Sequence, residues 1–148
     1  MASKPKQAPI ALPVQMASMK KTYGDLIESL GIANSTLSCV IKLQPASDCQ
    51  VYRVRIRYKI SDYSPKAWLV DPELQRVNGK LPHHIYGYDK SGHPQLCVYY
   101  PRYNEWNRQM LISHSFIPWI ITWLNTYEYW LITGEWFFDE SPRGSKKG

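Results

Sequence analysis

The stretch QVYRVRIRYKIS, residues 50–61, constrains the fold more than any other part of this chain. From Arg53 to Lys59 every second residue is basic, and the residues between them are apolar. An alternation with a period of two predicts a β-strand that is buried on one face and solvated on the other. Such a strand requires neighbouring strands beside it and a further layer to cover its apolar face.

Two more stretches have the composition of strands. STLSCVIKLQ, residues 35–44, is rich in β-branched residues, and PKAWLV, residues 65–70, is a short apolar run. The links between the three stretches, PASDC and SDYSP, consist of turn-forming residues. Links this short predict a three-stranded antiparallel meander.

A helix is predicted on each side of this meander. Apolar residues recur at helical spacing over residues 14–30, with Gly24 as an unfavourable residue in the middle. A second helix is predicted to begin near Ser115 or Pro118 and to end at about Thr133. The order of helix, strands and helix predicts an α+β fold, in which helices pack on a sheet.

The segment between the third strand and the last helix is less regular. Residues 71–92 hold turn signals at Asn78-Gly79 and at Ser91-Gly92, and the following QLCVYY predicts a short strand or an extended segment. Three of the four histidines and one of the three cysteines fall in this part of the chain or directly after it. Because loops on a rigid scaffold often carry functional residues, this segment is the expected place of a functional site.

The formal net charge is +6, and the excess lies partly at the two ends of the chain. We expect residues 1–12 to form a flexible N-terminus, residues 13–138 a single domain and residues 139–148 a flexible basic tail. A basic balance also suits acidic partners or nucleic acid. The aromatic residues follow a helical core pattern and not a stacking platform, so nucleic-acid binding is not expected.

The cysteines and the apolar runs indicate the class of protein. Three cysteines without a C-x-x-C pair signal neither a zinc site nor a disulfide framework, and we expect no metal and no cofactor. The run FIPWIITWLNTYEYWLITGEWFF is long enough to suggest a membrane span. Asn125, Glu128 and Glu135 interrupt it, so a buried helix in a cytoplasmic protein without membrane contact is the expectation.

Cys97 has two interpretations. Most free cysteines are small buried apolar residues, and Cys97 lies in an apolar run. It also follows an irregular loop and lies near His84 and His93, either of which could lower the pKa of a thiol and take its proton. Cys39 is expected in the core of a strand, and Cys49 in an exposed turn without function.

The motifs SPKAWLV, PHHIY, GHPQLCVYYP and EW follow a helix and a meander and precede a long helix. In this order they resemble the ubiquitin-conjugating (E2) fold, over residues 14–134 and most sharply over residues 82–136. The resemblance implies an N-terminal helix, an antiparallel meander, an active-site loop and a C-terminal helix. It places Cys97 as the active-site cysteine and Trp106 as the tryptophan that follows it.

The run from HIY through LCVYYP and EW to IPWIITWLNTYEYWLITGEW resembles more closely the bacterial E2-like proteins of short type II CBASS antiphage operons. This resemblance implies that Cys97 forms a thioester with the C-terminus of a cGAS-like nucleotidyltransferase and passes it to an amine. It implies an E1-like activating protein as a further partner. Longer relatives fuse an ATP-dependent E1-like domain, for which this chain has no room and no glycine-rich loop.

The chain departs from the eukaryotic pattern, in which His-Pro-Asn precedes the cysteine. His83-His84-Ile85-Tyr86 stands here instead, and Cys97 comes thirteen positions after His84. A backbone N–H, His84 or Tyr86 is the candidate for stabilising the oxyanion. Two other functions remain open at this stage: a binding module on the same fold that carries no thioester, and a basic nucleic-acid binder.

Overall fold

The computed structural model of the chain describes residues 8–98 and 106–136. Its helices and strands are α1 (Leu12–Tyr23), β1 (Ile27–Ala33), β2 (Thr36–Leu43), β3 (Tyr52–Lys59), β4 (Lys66–Asp71), β5 (Ile85–Tyr88), β6 (Pro94–Leu96) and α2 (Phe116–Thr133). Two short 3-10 turns lie at Gly24–Leu26 and Ile112–His114. The prediction of an α+β fold with a helix at each end of the described domain is confirmed.

The six strands form one antiparallel sheet in the order β1-β2-β3-β4-β6-β5. Strands β2, β3 and β4 are the three predicted strands, joined as a meander by short links. Strands β5 and β6 form a separate hairpin, which joins the sheet edge through the pair Trp68 and Gln95. The sequence pattern did not reveal β5, because residues 71–92 carry no regular alternation.

The alternation in β3 places its residues as predicted. Tyr52, Val54, Ile56 and Tyr58 are fully buried, and the basic residues between them lie on the opposite face. Helix α2 contributes the facing layer of the core, with eight buried residues along its length: Phe116, Ile117, Ile120, Trp123, Leu124, Thr126, Tyr127 and Trp130. One face of the sheet is therefore dry, and the other carries charge.

The first predicted helix is too long, which is the main correction to the predicted fold. The chain leaves the helix at Gly24, where φ is +31°, a conformation that favours glycine. Residues 27–33 then form β1, which is paired with β2 from Ile27 onward. β1 is an edge strand with little burial, so its apolar residues show no clear period of two and matched a helix instead.

Helix α2 confirms the predicted final helix. It ends at Thr133, and Gly134 follows in the left-handed conformation with φ of 78° and donates its N–H to the Trp130 carbonyl at 2.8 Å. Over the two described ranges of the chain, no helix combines the length and the apolar character needed to cross a bilayer.

Helix α1 is tied to the segment that precedes α2 by a buried glutamine. The Gln15 side chain donates to the Met110 carbonyl at 2.9 Å and accepts the Ile112 N–H at 2.9 Å. Ile10 donates its N–H to the Arg108 carbonyl at 2.9 Å. Residues 1–7 of the N-terminus predicted to be flexible over residues 1–12, and the whole predicted tail 139–148, lie outside the described residues, and the predicted domain boundaries stay predictions.

Candidate functional site

Cys97 lies at the open end of the β5–β6 hairpin, directly after β6. Its backbone N–H donates to the His84 carbonyl at 2.9 Å, and the neighbouring Leu96 is paired with Ile85. Leu96 is buried in the core, whereas Cys97 is half-buried. A half-buried cysteine whose backbone is fixed by a hydrogen bond is an arrangement that can hold a thiol in a defined position.

His84 is the most constrained residue next to Cys97. Its φ of +63° lies in the left-handed region, which is costly for a residue other than glycine and persists only where surrounding contacts hold it. Its carbonyl accepts the indole N–H of Trp123 at 3.1 Å as well as the Cys97 N–H. Its ring lies 5.6 Å from the Trp136 ring, with 31° between the planes. The structure thus brings His84 and Cys97 together.

An aromatic cluster on α2 supports this corner of the sheet. Trp123, Tyr127 and Trp130 follow one another on the buried face of the helix, with ring centroids 5.6 Å and 6.0 Å apart along the series. Trp136 closes the cluster against Trp123 at 5.1 Å and Trp130 at 6.4 Å. The His84 ring therefore packs on the edge of a rigid aromatic body.

Tyr86 occupies a β-bulge in β5. Ile85 is paired with Leu96 and Gly87 with Gln95, so Tyr86 is the additional residue between the two pairs. A bulge redirects the side chain it carries, and such irregularities are frequent beside active sites. The Tyr86 side chain is 54% exposed, two residues from His84. Its hydroxyl is therefore carried by the same hairpin end that holds Cys97.

His93 lies at the other end of β6, where the hairpin turns. Its imidazole Nδ1 is 3.4 Å from an Asp89 carboxylate oxygen, and its backbone N–H donates to the same side chain at 2.9 Å. Four residues along an extended strand span about 13 Å. The geometry favours a structural role for His93 in the turn over proton exchange with Cys97, and the catalytic role given to His93 stays a prediction.

Asp89 organises this turn and carries a depressed pKa. The His93 backbone N–H, the Arg55 guanidinium at 2.6 Å and the Ser91 N–H lower the pKa of its carboxyl to about 2, against a desolvation that raises it. Because the folded-state pKa is lower than the unfolded one, the charged carboxylate stabilises the fold above about pH 4. This contribution is lost as the pH falls toward about 2.

Asp89→Asn should therefore flatten the acid dependence of stability. The asparagine oxygen still accepts the turn N–H bonds but carries no charge that acid can remove. We expect the free energy of unfolding, measured in urea at fixed pH values, to fall less between about pH 4 and about pH 2 in the variant than in the wild type. Asp25→Asn, at an exposed position, should keep the wild-type slope. Parallel slopes for Asp89→Asn and the wild type would contradict this assignment.

The basic face of β3 is partly occupied by internal pairs. Arg53 contacts Glu28 at 2.9 Å, and Arg55 lies 4.2 Å above the ring centroid of Trp68 while it contacts Asp89. Lys42 adds a second contact to Glu28 at 3.7 Å. Arg53 and Arg55 are therefore engaged in contacts within the protein, to β1 and to the hairpin turn. These contacts weaken the interpretation of this face as a nucleic-acid surface.

The other two cysteines occupy different environments. Cys39 is 1% exposed within β2, as predicted, and burial raises the pKa of its thiol to about 12. Cys49 is half-buried in the link between β2 and β3 and is not fully exposed as expected. Desolvation, together with Glu128 and Asp48, raises the pKa of the Cys49 thiol. Neither environment favours a thiolate nucleophile.

Trp106, which the resemblance places as the tryptophan after the active-site cysteine, lies in the hydrophobic core. Trp106 contacts Tyr58 edge-on, with ring centroids 5.2 Å apart, and donates its indole N–H to the Ser115 hydroxyl at 3.1 Å.

Among the residues that the structure describes, no three His, Cys, Asp or Glu side chains are grouped as a metal site requires.

Three residues that support the site were not singled out from the sequence: Trp123, Trp136 and Asp89. The two tryptophans were assigned to the core as a group, because apolar periodicity does not tell which indole N–H reaches which carbonyl. Asp89 could have been found, since an aspartate two positions before Ser-Gly is typical of a turn in which the side chain accepts backbone N–H groups.

The comparisons with known proteins agree with this geometry. A family model described as type II CBASS E2 protein matches residues 15–143, which is most of the chain and includes all six strands and α2. No curated protein sequence is significantly similar to the chain. With its helix, antiparallel sheet and helix compatible with an E2-like architecture, the chain belongs to the E2 proteins of type II CBASS antiphage systems.

Proposed function

We propose that this protein is an acyl carrier with a ubiquitin-conjugating fold, and that Cys97 is its nucleophile. The donor is the C-terminus of a cGAS-like nucleotidyltransferase, and the acceptor is an amine. Two observations support this proposal: the match to the CBASS E2 family and the placement of a half-buried thiol at a backbone-fixed strand end. The second carries most weight, because the other two thiols lie where a thiolate is disfavoured.

The proposed chemistry consists of two acyl transfers. The Cys97 thiolate attacks a donor carbonyl that an E1-like partner has already activated as an adenylate or thioester, and the activating group leaves as AMP or thiolate. The C-terminal acyl group is then held as a thioester on Cys97. An amine attacks this thioester, the Cys97 thiolate leaves, and an amide results.

Both steps pass through a tetrahedral oxyanion that needs hydrogen-bond donors. The Cys97 N–H already donates to the His84 carbonyl and is therefore not aimed at such an oxygen. Of the candidates raised by the sequence, two are side chains: the His84 ring and the Tyr86 hydroxyl. We propose Tyr86 as the donor, because it is the exposed one and the bulge turns it out of the strand pattern.

A nucleophile trap tests the proposal. We expect Cys97→Ser, co-expressed with the operon's nucleotidyltransferase and activating partner, to accumulate an ester of the two proteins that resists reductant on a denaturing gel. The wild type should give an adduct that reductant removes, because a thioester is cleaved by thiols. Mass spectrometry of the adduct should locate the bond at residue 97.

Cys49→Ser is the matched control, since it makes the same chemical change at a half-buried thiol in the β2–β3 link. It should behave as the wild type and give only the adduct that reductant removes. A reductant-resistant adduct with Cys49→Ser, or no adduct of either kind with any operon protein, would refute the assignment of Cys97.

A further inference from the structure

We propose that Trp123 is a positioning residue for the nucleophile: its indole N–H holds the His84 carbonyl, which in turn holds the backbone of Cys97. The inference rests on the proposed function, because it gives Cys97 the role of acyl acceptor. It adds a residue on α2, 26 positions from Cys97 in the sequence, to the set that determines the rate of acyl transfer.

The geometry is a short chain of hydrogen bonds. Trp123 Nε1 donates to the His84 oxygen at 3.1 Å, and the Cys97 N–H donates to the same oxygen at 2.9 Å. His84 has a left-handed backbone conformation, with φ of +63°, which is costly for a residue other than glycine. Without a hydrogen bond to hold its peptide group, the backbone would relax toward a negative φ. Trp123 is 4% exposed, and its hydrogen bond to His84 is partly buried, which limits competition from water.

The same bond links two parts of the fold that are otherwise distant in sequence. Trp123 lies on α2, which packs on the meander, whereas His84 and Cys97 belong to the hairpin at the sheet edge. Between β4 and β6 the register contains the pair Trp68 and Gln95. The indole N–H therefore fixes the open end of the hairpin to the rigid layer of the domain, and with it the position of the Cys97 sulfur.

Trp130 offers a matched control within the same aromatic cluster. It is 5% exposed, contacts Tyr127 and Trp136 as Trp123 does, and lies on the same face of α2. Trp123→Phe and Trp130→Phe therefore remove similar amounts of buried ring. They differ in that only the first removes the hydrogen bond to His84 described above.

The experiment measures transfer of an acyl group from a synthetic glycine-terminated peptide thioester of 2-mercaptoethanesulfonate to Cys97. The Cys97 thiolate replaces 2-mercaptoethanesulfonate, which leaves as the thiolate, so no activating enzyme is required. We expect the rate at saturating peptide to be about tenfold lower in Trp123→Phe, with an unchanged half-saturating peptide concentration, because misplacement of a reacting group slows the step more than it weakens binding. Trp130→Phe should stay within about twofold of the wild type.

Two further measurements test whether a slower acyl transfer in the Trp123 variant comes from a displaced Cys97 or from a change in thiol acidity or folding. The pH midpoint of Cys97 alkylation by iodoacetamide should be the same in both variants and in the wild type, because the loss concerns geometry and not thiol acidity. Replacing Trp123 with benzothienylalanine, which keeps the ring shape and lacks the N–H, should reproduce the slow rate even where Trp123→Phe folds poorly.

The outcomes distinguish this inference from the proposed function. Equal rates for the Trp123 and Trp130 variants, a wild-type rate with benzothienylalanine, or a shifted alkylation midpoint would overturn the positioning role while the acyl-carrier function stands. If wild-type protein forms no thioester with the peptide, or if Cys97→Ala forms one as fast as the wild type, the proposed function fails and the inference fails with it.

Discussion

Cys97→Ala in an otherwise intact operon is expected to abolish the thioester and to remove protection against phage. Loss of a covalent nucleophile removes the route by which the acyl group is held, and the rate of conjugate formation should fall on the order of a thousandfold or more. The plating efficiency of a sensitive phage and a non-reducing gel of the co-expressed proteins are the two measurements.

The control for this variant is Cys49→Ala, which removes a half-buried thiol outside the hairpin. It should retain both thioester and protection. The Cys97→Ala result also decides between an enzyme and a binding module, because a module that only binds the nucleotidyltransferase would still protect the cells. Full protection by Cys97→Ala, at wild-type protein levels, would contradict the acyl-carrier function and favour the binding module.

Phe116→Ala should cause a large loss of stability. Phe116 is fully buried at the start of α2, where its ring packs in the hydrophobic core. Truncation of a buried phenylalanine costs about 3–5 kcal/mol, from lost transfer free energy and the cavity that remains. Urea denaturation followed by tryptophan fluorescence measures the difference.

The control is Ile132→Ala on the same helix. Ile132 is 85% exposed, and its replacement should change the free energy of unfolding by less than about 0.5 kcal/mol. A comparable loss in both variants would show that α2 is stabilised along its whole circumference and not through its buried face, contrary to the packing described here.

The fold was predictable wherever one face of an element is buried. β2, β3 and β4 lie in the interior of the sheet, where burial selects β-branched and apolar residues, and β3 also alternates sharply. α2 buries a broad face, so its start and end were correctly predicted. β1 and β5 are the two edge strands, with little burial on either face. Their sequences are therefore under weak constraint from the core, and periodicity assigned β1 to a helix and β5 to a loop.

The site was predictable in its residue types but not in its contacts. The interpretation of Cys97 as a nucleophile came from its position after an irregular segment, and its nearness to His84 in space follows from the β5–β6 pairing, which the sequence pattern did not show. The sequence places His93 closer to Cys97 than His84. Because β6 is extended, the backbone of His93, four positions from Cys97, lies farther from it than that of His84, which the hairpin brings back beside Cys97 across thirteen positions.

The hairpin pairs His84 with Cys97 at its open end, while its tip lies at the far end of both strands. Insertions and deletions at such exposed tips are absorbed without moving the paired ends. In this chain the pairing of the two strands, and not the number of residues between His84 and Cys97, sets where the Cys97 backbone lies relative to His84.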